Sequence, residues 1–68
     1  MLSNEEKIEF LSNKISFLDL VLASEILDLA ELKKVNHTKV SFVKADIANR
    51  KASIAALRQE LANIEKVV

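Results

Sequence analysis

Two rows of mostly apolar residues, each spaced alternately three and four apart, run along this chain and mirror one another about Asn36. The first is Ile8, Leu11, Ile15, Leu18, Leu22, Glu25, Leu29 and Leu32; the second is Val40, Val43, Ile47, Arg50, Ile54, Leu57, Leu61, Ile64 and Val68. With about 3.6 residues per turn, three-four spacing returns each row to one helix face, the seam of a helix that packs against another. Reflection through Asn36 sets Leu32 with Val40, Leu29 with Val43, Leu18 with Ile54, Ile15 with Leu57, Leu11 with Leu61 and Ile8 with Ile64. The expected fold is all-α: an antiparallel two-helix hairpin of coiled-coil type, two of which pair into a four-helix bundle.

The ends of the elements follow from local chemistry. Ser3 and Glu6 have the spacing of a capping box, in which a hydroxyl and a carboxylate take up free backbone N–H groups, and Glu5 and Glu6 oppose the helix dipole. This places the first helix over residues 4–34, ending at Lys33 and Lys34, which suit the negative end of the dipole. Residues 35–38, Val-Asn-His-Thr, make the turn. Asn36 tolerates the left-handed backbone that commonly ends a helix, and Thr38 is expected to cap a second helix over residues 39–66. The rival is one continuous helix, because a heptad phase slip of four residues is a stutter that a straight helix can absorb. With no Gly and no Pro anywhere, the chain has neither of the residues that most often punctuate a turn.

At 68 residues the chain is one domain, close to the size at which a single core barely offsets the entropy of folding. It has no Cys for a disulfide, and its one His has no ligand set around it, so no cofactor or metal is expected. Self-association is the remaining common remedy, with a homodimer as the first expectation and an unidentified protein partner as the alternative. The stretch from Ile15 to Leu32 contains Asp19, Glu25, Asp28 and Glu31, which argues against a membrane span. The start, Met-Leu-Ser-Asn-Glu-Glu, lacks the basic and apolar regions of a signal peptide, so a cytoplasmic location is expected.

Two further rows lie off the seam. Phe10, Phe17, Leu20 and Leu27 form a second apolar stripe on the first helix, which a two-helix hairpin cannot bury. Ala45, Ala48, Ala52, Ala55, Gln59 and Ala62 form a row of mainly small side chains on the second, which reads either as a close-packing surface or as a solvated face of good helix formers. A bulky stripe and a small one are complementary in size, so both are candidate oligomer or partner surfaces. Glu25 and Arg50 interrupt their seams in neighbouring layers and are expected to form an ion pair that sets the register.

Charge is also divided. Residues 1–32 hold seven acids against two bases, net −5, and residues 33–68 hold eight bases against three acids, net +5. The bases gather near the turn as Lys33, Lys34, Lys39, Lys44, Arg50 and Lys51 with Asp46 opposing them, while Glu5, Glu6, Glu9, Glu60 and Glu65 gather at the open end. The lysines are candidate anion contacts: they serve either assembly with the acidic end of a second chain, or phosphate binding without base readout. A net charge of zero and the absence of Tyr and Trp for base stacking favour assembly over nucleic acid.

No catalytic constellation is present. Ser, His and Asp occur without triad spacing and without a Gly-bearing elbow to present a nucleophile, and His37 at the turn reads as a solvated polar residue. The sequence therefore points to a small non-enzymatic helical interaction protein that self-associates and acts as adaptor, assembly component or modulator. The alternative is a small nucleic-acid-binding regulator working through the basic turn of a hairpin dimer.

Overall fold

In the computed structural model, which describes residues 1–66, the chain forms two helices packed against each other, α1 (Asn4–Lys34) and α2 (Val40–Glu65). The Cα atoms span 49 × 18 × 14 Å, so the long axis is that of α1, whose 31 residues at about 1.5 Å each give roughly 46 Å. The chain therefore turns back on itself. The continuous helix is excluded.

α1 begins as its sequence requires. The Ser3 hydroxyl accepts from the Glu6 N–H at 3.1 Å and the Glu6 carboxylate accepts from the Ser3 N–H at 3.2 Å, completing the capping box. It ends in a Schellman arrangement: the His37 N–H donates to the Leu32 carbonyl at 3.0 Å and the Asn36 N–H to the Lys33 carbonyl at 3.2 Å. The closure needs a left-handed residue, and Asn36 supplies it at φ 52°. Among L-residues Asn is one of the few that tolerate this region, which is how the chain turns without glycine.

The entry to α2 differs from the sequence expectation. The helix starts at Val40 and ends at Glu65, one residue inside the expected 39–66 at each end, and its N-cap is Lys39 with no side-chain cap bond. Thr38 does not cap it. His37 takes that place, its Nδ1 accepting from the Lys39 N–H at 3.0 Å and its carbonyl accepting from the Val40 N–H at 3.2 Å. His37 is exposed, as a solvated turn residue should be, and adds this local bond.

Every seam residue from Ile8 to Ile64 is buried or half-buried; Val68 lies outside the described residues. Four side chains make the closed core, with Leu11, Ile15, Ile47 and Ile54 at 5 to 7% exposure. The helices align at the levels set by reflection through Asn36: Leu18 shares one open groove with Ser53 and Leu57, and Leu22 shares the opposite groove with Lys51 and Ile54. The core is one side chain thick. A pair of helices can enclose a line of contacts but not a volume, so the other faces remain uncovered.

Candidate functional site

The seam contains one charged layer. The Arg50 guanidinium donates through Nε to the Glu25 carboxylate, and the two side chains are 31% and 19% exposed. Each stands in its own heptad row, one layer apart, and the long arginine bridges the step between layers. The hydrogen bond to Glu25, with the attraction of Glu25 and Asp46, raises the arginine pKa above its ordinary value against an opposing desolvation effect. Arg50 therefore stays charged throughout the range in which the protein would be handled, and the pair is a fixed polar contact, not a proton donor or acceptor.

A second cross-helix pair was not anticipated from the sequence. Arg58 Nη2 lies 2.9 Å from Asp19 Oδ2, with both side chains well exposed. The two ion pairs border opposite grooves, since Arg50 lines the groove that holds Lys14 and Leu18, while Asp19 and Arg58 line the one that holds Leu22 and Ala55. The signal was available: α1 is acidic and α2 basic, and arginine on α2 can reach across the seam to a carboxylate on α1. Heptad spacing alone does not show it, because Asp19 and Arg58 lie outside both rows.

The turn end is less basic than its sequence suggests. Lys34 is engaged on its own helix, its Nζ 3.2 Å from Glu31 Oε1, so Glu31 as well as Asp46 offsets the bases there. Lys33, Lys39, Lys44 and Lys51 are exposed. They border the turn and the first half of α2 and do not converge on a pocket, although Lys51 lines the groove beside Asp19 and Arg58. Among the described residues, no group of three or more His, Cys, Asp or Glu is placed to hold a metal ion. No helix among the described residues is long and apolar enough to cross a membrane.

The largest uncovered feature is the outer stripe of α1. Phe10, Phe17, Leu20 and Leu27 are exposed by 58% to 72%, on a helix whose seam face is covered by α2. Leu2, ahead of the N-cap, and Val35, at the C-cap, are also exposed. Lys14, which lines the Arg50 groove, sets its ammonium 5.9 Å from the centroid of the Phe10 ring. Ala55 lines the Asp19–Arg58 groove, and Ala48 and Ala62, seven residues to either side of it, share its column. Ala45, Ala48, Ala52 and Ala55 are exposed, whereas Ala62 is half-buried. Ala55 is the member of the two rows that lines one of these grooves; Phe10, Phe17, Leu20 and Leu27 line neither.

No protein-family model matches this chain, and neither does any curated protein sequence or solved structure.

Proposed function

We propose that this chain is a small, non-enzymatic helical interaction protein that self-associates through the outer stripe of α1 and serves as an adaptor, assembly component or modulator of another protein. The observation that carries this reading is the stripe itself. Four large apolar side chains, each more than half exposed, line one side of α1, while the closed core holds only four others. Contiguous apolar surface of that kind marks an interface, and a chain this short gains stability by covering it. Pairing of two hairpins brings four helices together. Nothing in the site calls for a cofactor, and the one buried-side polar contact, Glu25 with Arg50, is satisfied within the chain.

The test is molecular mass. Light scattering should give a dimer for the native chain, and Phe17→Asp should lower the mass to that of the monomer while helical circular dichroism persists. Burial of a phenylalanine is worth about 1.5 to 3 kcal/mol and each partner contributes one, so association should weaken by roughly a hundredfold or more. Retention of the native mass by a folded Phe17→Asp would exclude the stripe as the self-association surface. The alternative reading, phosphate binding by Lys33, Lys39, Lys44 and Lys51, predicts instead a salt-dependent affinity for generic RNA or DNA. Such binding in a dimeric or monomeric protein would replace the adaptor reading.

A further inference from the structure

Resting on the adaptor reading above, we infer that the groove beside Asp19 and Arg58, followed toward the turn, seats an acidic amphipathic helix supplied by another protein. Leu22, Ile54 and Ala55 line this groove, and Lys51 stands on its border. A step of seven residues returns a helical residue to almost the same side, so the borders continue toward the turn as Ile26 and Lys33 on α1 and as Lys44 on α2. Ile26 is 45% exposed and extends the apolar lining. Ala48 and Ala55 alternate with Lys44 and Lys51 along α2, and Ala23 and Ala30 follow Asp19 and Ile26 by one turn on α1; all four are exposed. Side chains this short let a third helix settle between the two.

The charge of this stretch names the occupant. Asp19 is already held by Arg58 at 2.9 Å, and among the described residues Lys33, Lys44 and Lys51 make no ion pair. The other carboxylates of this half of the hairpin are elsewhere. Glu25 is bound to Arg50 in the seam and Glu31 to Lys34, while Asp28 and Asp46 stand seven-residue steps from Lys14 and Ser53, which line the opposite groove. Three unanswered cations therefore border an apolar groove. A helix with an apolar face and carboxylates on its flanks answers both features at once. Lys44 and Lys51 are seven residues apart, about 10.5 Å along α2, which is the repeat of a heptad helix. Phosphates of a nucleic-acid strand recur far more closely, at roughly 3.4 Å along a duplex, and the apolar lining offers their backbone no hydrogen bonds. Phe10, Phe17, Leu20 and Leu27 line neither groove, so covering the outer stripe does not require covering this site.

The probe is a fluorescein-labelled peptide of about three heptads, with Leu at three-four spacing and Glu on both flanks, read by fluorescence anisotropy. The same peptide with Lys in place of Glu and a short RNA duplex are the comparisons. The expected result is binding of the acidic peptide that weakens as salt is raised, with no measurable binding of the other two. Lys44→Glu combined with Lys51→Glu should weaken it about tenfold or more, and Lys44→Gln with Lys51→Gln by less. Both double variants should keep the native helical circular dichroism, because the two side chains are exposed. Phe17→Asp, under conditions where helical circular dichroism persists, should bind the acidic peptide as the native chain does. Equal binding of the acidic and basic peptides, preference for the RNA duplex, unchanged binding by the charge-reversed variant, or loss of binding in folded Phe17→Asp each overturns the inference. Light scattering keeps it distinct from self-association: a dimer that does not bind the acidic peptide leaves self-association standing, and a monomer that binds it overturns self-association alone.

Discussion

Replacing Ile54 with Ala tests whether the hairpin seam, and not the outer stripe, is the folding core. Ile54 is 6% exposed, so the change removes three carbon groups from an almost closed site, worth about 2.4 kcal/mol at ~0.8 per carbon. Because the core is a single line of contacts, α1 can settle toward the gap, and the cavity contribution should add only a little. A chain of 68 residues has roughly 3 to 10 kcal/mol of total stability, and one with so thin a core belongs near the lower end. Ile54→Ala should thus remove a large share of it. Leu20→Ala removes the same number of carbons from a site 72% exposed, so only about a quarter of that transfer energy is at stake, near 0.6 kcal/mol. Urea denaturation followed by helical circular dichroism reads the contrast. With a slope near 1 kcal/mol per molar, Ile54→Ala should lower the midpoint by about 2 M and Leu20→Ala by well under 1 M in dilute protein. Raising the concentration should widen the Leu20→Ala deficit, because that site is then covered in the native chain, and leave the Ile54→Ala deficit nearly constant. Equal losses for the two variants at every concentration would refute the reasoning, since the stripe would then be as much a part of the folding core as the seam.

Two other perturbations probe the charged layer and the turn. Replacing Glu25 or Arg50 alone with Leu should lower the melting temperature more than replacing both, because a single change strands a half-buried charge; strictly additive shifts would mean that each side chain is solvated on its own. Since the shifted group is Arg50 and its pKa is raised, its contribution is fully present below the ordinary arginine value and fades only as pH rises through the higher folded value, so melts from acid to mildly alkaline pH should show no transition from this arginine. At the turn, Asn36→Val should cost about 1 to 2 kcal/mol because a β-branched residue is forced to positive φ, whereas Asn36→Gly should be neutral or slightly stabilising; equal melting temperatures for the two would show that the left-handed turn is not formed in solution.

The sequence by itself determined the two helices, the start of the first and the line along which they meet. Helical periodicity is a local property, the Ser3–Glu6 cap is complete within four residues, and the reflection of the rows about Asn36 leaves one alignment with a short turn. Tertiary structure decided what local patterning cannot carry. Hairpin and straight rod share nearly the same backbone along both helices, and their difference rests on one residue at positive φ, Asn36, whose cost is repaid only once Leu11, Ile15, Ile47 and Ile54 come together. Thr38 looked like the cap of α2 because its hydroxyl is suited to that task, but the Schellman closure places His37 where its ring nitrogen reaches the Lys39 N–H first. Lys34 looked free and is held by Glu31, while Arg58 found Asp19 across a seam that neither belongs to by spacing. The position of the two outer rows around the hairpin was likewise set by how the helices rotate to close their seam. Each helix must first present its heptad row to its neighbour, and the remaining faces go where the 100° step per residue carries them.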